Sequence, residues 1–340
     1  MKKSDNKIGV SVIIPCYKRI DQTIRSIKKV LDSDGWNNDY NAELIIADST
    51  EDDSLKKVLF EKFKEKFENK EFLYLHPSKR GISINKNTGA KKAKYPLLVY
   101  CDSDMEVEKN VIFDSIKRLE KDFRIAALTS TVIWKKGKKD GQLDRPKEED
   151  RFINYKGTKF IEYIYSRYTI TYKKVLLELG GYDEKVFNMR GEGSDLSTRY
   201  WRAGYPLAYD SSLKVYHRHD APDSIALRID HPEWSVAKDI FLLAYKFNNF
   251  EDDGLYFPKN LNKIFGKFDS MSHYRLIQGL AKHFNFIVKS KKEIDKQKKE
   301  MKPQYDFKFQ EIFSNKKMLL KCIDEAQKKM KPIHKEVFKK

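Results

Sequence analysis

The feature that most constrains this chain is an apolar run, residues 97–101 (Leu-Leu-Val-Tyr-Cys), that leads straight into Asp102-Ser103-Asp104. Such a run is typical of a buried strand in a parallel sheet, and ligands of open α/β sheets bind at the carboxyl ends of these strands. Two carboxylates there can hold a hard divalent cation, because Mg²⁺ and Mn²⁺ take oxygen ligands. The alternative is a solvated turn, where Asp and Ser are common.

The residues before this strand alternate between strand and helix patterns. Strands are predicted at residues 10–14, 43–48 and 72–75, with amphipathic helices between them and a last helix over 83–94. This alternation predicts a parallel sheet with right-handed crossovers. The first, second and fourth strands run into Tyr17, Asp48 and Asp102, so we expect these side chains to share one edge of the sheet and to face one ligand.

The composition narrows the classes of partner. The 340 residues carry 68 Lys+Arg against 50 Asp+Glu, a net charge of +18, which favours nucleic acid, sugar nucleotides or anionic lipid headgroups. A nucleic-acid-binding surface should gather its charge on one face with aromatics interleaved, whereas here the lysines are spread along the chain. Three cysteines are too few for a disulfide framework or a zinc site. With no signal peptide and no apolar run long enough to span a bilayer, we expect a cytoplasmic protein.

Four short segments follow one another along the chain, at residues 10–19, 47–50, 80–90 and 102–104. Together they resemble the nucleotide-sugar half of the family 2 glycosyltransferases, and the resemblance covers about residues 8 to 220. It implies the GT-A fold, an α/β, Rossmann-like and mostly parallel sheet flanked by helices. We expect this catalytic domain at residues 1–232, followed by a basic α-helical appendage at residues 233–340, where the apolar spacing is helical.

The resemblance implies roles for side chains around the donor. Tyr17 would shape the wall beside the nucleobase and ribose, Asp48 would accept a hydrogen bond from the base, and Arg80 would face the diphosphate. Lys86 stands where the family commonly has Arg, which weakens any bidentate contact. The implied donor-binding set is Pro15, Tyr17, Arg19, Asp48, Arg80, Gly81, Asn87, Asp102 and Ser103. The alternative for Asn87 is a place on the helix surface.

A second motif, Gly191-Glu192-Gly193-Ser194-Asp195-Leu196, resembles the family's Gly-Glu-Asp-x-Asp-Leu segment, with Gly193 in place of the middle acid. The resemblance implies that an acid here is the general base that deprotonates the acceptor hydroxyl. We favour Glu192, with Asp195 as the second choice. The alternative is helix capping, because a helix is predicted from Asp195 to Gly204 with Ser194 or Asp195 as its N-cap.

A late strand, residues 213–219, ends in two histidines. In metal-dependent GT-A enzymes a late histidine often completes the coordination of the cation. The resemblance therefore implies metal ligation by Asp102, Asp104 and His217, with Mn²⁺ or Mg²⁺ as the cofactor. His219 is the alternative ligand, and imidazole suits manganese better than magnesium. The other possibility is that these histidines contact phosphate by charge alone.

The resemblance implies a metal-dependent, inverting hexosyl- or N-acetylhexosaminyltransferase. It would move a sugar from a nucleoside-diphosphate sugar, with UDP favoured, to a hydroxyl of a glycan or lipid-linked acceptor, and its basic C-terminal region could touch the inner membrane face. A nucleotidyltransferase would need a Gly- and Arg-rich loop after the first strand, whereas residues 16–19 (Cys-Tyr-Lys-Arg) contain no glycine. A non-catalytic sugar-nucleotide-binding or nucleic-acid-binding protein is the other alternative.

Overall fold

The computed structural model describes residues 7–135, 143–144, 152–164, 166–218, 232–247, 277–309 and 311–338. The strands are β1 (Gly9–Cys16), β2 (Asn41–Asp48), β3 (Phe72–Leu75), β4 (Leu97–Cys101), β5 (Met105–Val107), β6 (Ala127–Lys135), β7 (Leu143–Asp144), β8 (Phe152–Tyr155), β9 (Thr158–Ile161), β10 (Tyr168–Tyr172) and β11 (Leu207–Arg218). The helices are α1 (Ile20–Leu31), α2 (Ser54–Lys62), α3 (Lys64–Glu68), α4 (Ile82–Lys92), α5 (Val111–Lys121), α6 (Lys173–Glu178), α7 (Glu192–Arg202), α8 (Pro232–Phe247), α9 (Phe284–Glu300) and α10 (Lys316–Phe338), with a helical stretch at 277–282 and a 3₁₀ turn at Ile312–Ser314.

The first four strands form the parallel half of the sheet. They lie in the spatial order β3-β2-β1-β4, and each neighbouring pair is parallel. This order confirms the βαβ pattern predicted from the sequence. Because β4 lies between β1 and β10, every residue of Leu97–Cys101 is buried, as its continuous apolar run requires.

The second half of the sheet is mixed, which the sequence pattern did not reveal. Strand β10 lies between β4 and β6 and is antiparallel to both. After β4 the chain turns back at residues 102–104 to form β5, which pairs with β11 so that Met105 stands opposite His217. This pairing brings the end of a late strand to the residues that follow β4.

Two predicted elements differ from those observed. The strand predicted at residues 213–219 is the second part of a longer strand, β11, which begins at Leu207 and is described up to Arg218, with a register shift between Asp210 and Lys214. The predicted helix from Asp195 begins three residues earlier, at Glu192, so neither Ser194 nor Asp195 is its N-cap. The reason is Gly191, whose φ of +76° provides the left-handed N-cap conformation that other residues rarely adopt.

The C-terminal helices pack against the rest of the chain. Helix α10 contributes to the same buried cluster as the central strands, through Leu319, Cys322, Ile323, Met330 and Ile333. Helices α8 and α9 form a second cluster with Val186 and Phe187. The region predicted as an appendage therefore shares, through α10, the core of the central sheet. Within the described ranges, none of the helices has the length and hydropathy that crossing a bilayer requires.

We predict that Ile323→Ala lowers the free energy of unfolding by about 2–5 kcal/mol, because Ile323 is fully buried in the shared core. Urea unfolding followed by circular dichroism should show this loss. Lys328→Ala, an exposed position on the same helix, is the matched control and should change stability by less than about 0.5 kcal/mol. Equal stabilities of the two variants would contradict a core that includes α10.

Candidate functional site

Asp102 and Asp104 directly follow β4, at its carboxyl end. Their side chains are 17% and 11% exposed, so each is largely withdrawn from water but still reachable. The Asp102 backbone N–H donates to the carbonyl of Arg167, 2.9 Å away, and the Arg218 N–H donates to the carbonyl of Asp104, 3.0 Å away. These bonds fix the turn that follows β4 from two sides.

Asp104 is paired with two basic side chains. The Arg19 guanidinium contacts its Oδ2 atom, and His217 Nε2 lies 3.2 Å from the same oxygen. Burial alone would raise the pKa of Asp104, but the hydrogen bond and charge of His217, with the charge of Arg19, hold it well below its usual range. Asp104 is therefore a carboxylate anion at neutral pH.

Asp104 and His217 are placed so that they could supply two adjacent ligands of a divalent cation. Two adjacent ligands of an octahedral ion with bonds of about 2.1 Å lie about 3 Å apart, close to the 3.2 Å between Oδ2 and Nε2. Residues 7–135, 143–144, 152–164, 166–218, 232–247, 277–309 and 311–338 contain no group of three or more His, Cys, Asp or Glu gathered for a metal. Water and substrate phosphates would complete the shell, as is usual for Mg²⁺. The alternative ligand His219 lies outside the described residues.

Asp102 faces a different cation, the buried side chain of Lys86 on α4. Lys86 is fully buried, donates to the Ser166 carbonyl at 2.9 Å, and places its Nζ 3.4 Å from Asp102 Oδ1 and 3.8 Å from Glu192 Oε1. Burial raises the pKa of Asp102 to about 6; the Lys86 charge opposes this rise, whereas Asp104 and Glu192 add to it. Lys86 thus connects the Asp102 turn to the start of α7, a role that the sequence did not reveal.

Glu192 is the first residue of α7, where the helix dipole favours a carboxylate. It is 7% exposed, and Ser166 Oγ donates to its Oε1 at 2.8 Å. A Cβ at Gly193 would lie 3.3 Å from the Cβ of Ser166, so a larger residue there would be crowded. The glycine that replaces the family's middle acid therefore leaves room for the serine that orients Glu192.

Asp195 is fully buried and lies in a separate ion-pair network. Arg199 donates to its Oδ2 through Nε at 2.9 Å and Nη2 at 2.6 Å, and Lys246 Nζ lies 2.7 Å from its Oδ1. The same ammonium is 2.9 Å from Asp183, in the turn before α7. Both oxygens of Asp195 are therefore engaged by cations within the protein, and Lys246 links α8 to α7.

Tyr17 and Arg80 contact each other beyond the carboxyl end of β1. The Arg80 guanidinium stacks over the Tyr17 ring at 3.9 Å, and the Tyr17 hydroxyl donates to Glu51 at 2.9 Å. Arg80 is exposed, and Asn188 donates to its carbonyl at 2.9 Å. A Cβ at Gly81 would overlap the Asn188 amide, so that side chain fills the space beside the glycine. Pro15 and Ser103 are buried.

Two residues of the predicted donor-binding set have full sets of partners inside the protein. Asp48 is fully buried and accepts hydrogen bonds from Thr50 (2.6 and 2.9 Å) and Tyr74 (2.7 Å). Asn87 exchanges bonds of 2.8 Å with the backbone of Tyr182 and donates to Glu184 at 2.7 Å. The observed hydrogen bonds of both side chains hold loops of the protein in place. A contact of either residue with the sugar-nucleotide donor stays a prediction.

Asn85 is a candidate that the sequence analysis missed. Its amide donates to the Cys16 carbonyl at 3.0 Å and to Ser49 Oγ at 3.1 Å, where β1 and β2 end. Its buried Oδ1 accepts no hydrogen bond from the residues that the structure describes. Only its place two residues before Asn87, in the first turn of α4, could have indicated it.

Comparison with known proteins gives a family for the chain. Residues 11–178 match the family model for glycosyl transferase family 2. The chain is 31% identical over 121 residues to an uncharacterized glycosyltransferase of Rickettsia bellii, and 33% identical over 136 residues to the uncharacterized glycosyltransferase RC0461 of Rickettsia conorii. These alignments cover 36% and 39% of this chain but only 16% and 21% of the relatives, so the chain spans about a fifth of their length.

Solved structures show the same fold. GalNAc-T7 with UDP, GalNAc and Mn²⁺ matches 83% of this chain and 58% of its own, with a TM-score of 0.55 and 18% identity. The match with residues 1–349 of S. aureus TarS in complex with UDP covers 82% of this chain and 72% of that chain, with a TM-score of 0.51 and 16% identity. The match with the mannosyltransferase PcManGT of Pyrobaculum calidifontis, in complex with GDP-Man and Mn²⁺, covers 95% of this chain and 87% of that chain, with a TM-score of 0.56 and 12% identity. The chain has the GT-A fold of these enzymes, and its residues 11–178 form a domain that matches glycosyltransferase family 2.

Proposed function

We propose that this chain transfers a sugar from a nucleoside-diphosphate sugar to an acceptor hydroxyl, with Mn²⁺ or Mg²⁺ as cofactor. The observation that carries the proposal is the meeting of Asp104, His217 and Arg19 at one sheet edge, connected through Asp102 and Lys86 to Glu192. The family match supports it, as do the nucleotides and Mn²⁺ in structures of the same fold. We favour UDP, an inverting reaction, and a glycan or lipid-linked acceptor.

In this proposal the donor lies between the Tyr17–Arg80 pair and the end of β4. Tyr17 would lie against the nucleobase or ribose, and Arg80 would present its guanidinium to the diphosphate, for which a planar fork of donors is suited. A divalent cation held by Asp104 and His217 would neutralise the charge that develops on the leaving diphosphate. Asp102 and Ser103 would form the floor beneath it.

Glu192 is the general base in this scheme. The acceptor hydroxyl gives its proton to the Glu192 carboxylate while its oxygen attacks the anomeric carbon, and the bond from that carbon to the diphosphate oxygen breaks. Ser166 holds one carboxylate oxygen of Glu192 in place, which leaves the other for the acceptor. Asp195 is the weaker candidate, because both of its oxygens are already paired with Arg199 and Lys246.

We also propose a cytoplasmic location. The net charge of +18 and the lysine-rich helix α9 support a contact between the C-terminal region and an anionic membrane face.

The role of Glu192 can be separated from that of Asp104 by measuring hydrolysis of UDP- and GDP-sugars with Mn²⁺ alongside UDP binding by calorimetry. We expect Glu192→Gln to keep UDP affinity within about threefold and to lower turnover by about 10²- to 10⁴-fold, because only the base is lost. Asp104→Asn should lose turnover and also Mn²⁺-dependent UDP binding. The exposed Asp21→Asn is the matched control. Unchanged turnover in both site variants would refute the assignment.

Asp195→Asn should act mainly on stability. Removing its charge leaves Arg199 and Lys246 buried without their shared anion, so we expect the free energy of unfolding to fall by about 3–5 kcal/mol. Urea unfolding measures this free energy. The matched control is Glu68→Gln, which breaks the exposed Lys64–Glu68 pair and should change the free energy of unfolding by less than about 1 kcal/mol. An Asp195→Asn protein of normal stability that lacks turnover would instead make Asp195 the base.

A further inference from the structure

The two carboxylates that follow β4 are already neutralised by basic side chains of the chain itself. Arg19 contacts Asp104 Oδ2, and Lys86 Nζ lies 3.4 Å from Asp102 Oδ1. These cations come from different elements, the turn between β1 and α1 and the buried face of α4. A divalent cation that approaches this edge therefore meets carboxylates whose charge has been balanced.

Arg19 and a metal ion would compete for one atom. The Asp104 oxygen that Arg19 contacts is the same Oδ2 that lies 3.2 Å from His217 Nε2. A cation bound between that oxygen and that nitrogen would stand beside the guanidinium, and like charges at such a distance repel strongly in a poorly solvated site. Arg19 must leave Asp104 Oδ2 if the cation is to bind there.

Of the two basic side chains, Arg19 is the one that water reaches. The Arg19 side chain is 16% exposed, while Lys86 is fully buried, donates to the Ser166 carbonyl and lies over the Tyr182 ring. The backbone before Arg19 is held by a hydrogen bond: Lys18 has a φ of +53°, and its N–H donates to Thr50 Oγ1 at 2.8 Å. A movement of Arg19 away from Asp104 would therefore be made by the side chain, with the backbone of the turn in place.

A diphosphate offers the displaced guanidinium a second partner, because Arg binds phosphate through two parallel hydrogen bonds. We propose that Arg19 is an exchangeable counter-ion: it neutralises Asp104 in the donor-free protein and moves to the diphosphate when cation and donor bind together. This inference rests on the proposed function and adds to it a positioning residue. Its consequence is that each of the two ligands strengthens the binding of the other, by the same factor.

The test is titration calorimetry of the full chain with Mn²⁺ alone, with UDP alone, and with each in the presence of the other. In the unaltered protein UDP should tighten Mn²⁺ binding by about 5- to 150-fold, the usual range of coupling between sites. In Arg19→Gln, Mn²⁺ alone should bind more tightly than in the unaltered protein, since the competing charge is gone. UDP in saturating Mn²⁺ should bind more weakly, since a phosphate contact is lost.

These opposite shifts distinguish the proposal from simpler effects. Lys28→Gln removes one charge from the exposed face of α1 and is the matched control, with both affinities expected within about twofold of the unaltered protein. If Arg19 has only a structural role, Arg19→Gln should bind both Mn²⁺ and UDP more weakly. That result, or no change in either affinity, overturns the inference about Arg19 and leaves the proposed function standing. If the unaltered protein binds neither UDP nor GDP with Mn²⁺ present, the proposed function falls as well.

Discussion

Two carboxylates at the end of a buried strand are the constraint on which this structure depends. Taking Asp102 and Asp104 largely out of water is costly unless each finds a cation or a hydrogen-bond donor. Arg19, Lys86 and His217 supply these partners, from the turn after β1, from α4 and from the end of β11. The mixed sheet makes this meeting possible, because β5 turns back from the pair of acids to lie beside β11.

Buried ion pairs also hold helix α7 in place. Lys86 joins Asp102 to Glu192 at the start of α7, and Lys246 joins Asp195, three residues further along that helix, to the turn at Asp183. Helix α7 is therefore held by buried charge from two directions. Because Lys246 belongs to α8, the C-terminal helices help to fix the residues proposed for catalysis, as well as sharing the core through α10.

The parallel half of this fold follows from the sequence because each strand is a short apolar run and each helix has an amphipathic period. Strand β3 was predicted to the residue, and β1 and β2 within one or two residues at each end. Strand β10 was not, because its place between β4 and β6 depends on pairing over long sequence separations. For the same reason spacing could suggest Asp102 and Asp104 as site residues but could not show that Lys86 would be the buried partner of Asp102.

A crystal structure of the protein with UDP and Mn²⁺, with the metal located by its anomalous scattering, tests the central claim most directly. The account predicts manganese bonded to Asp104, His217 and oxygens of the diphosphate, with the Glu192 carboxylate open to the side from which an acceptor would approach. Manganese or nucleotide bound away from the carboxyl end of β4 would contradict it.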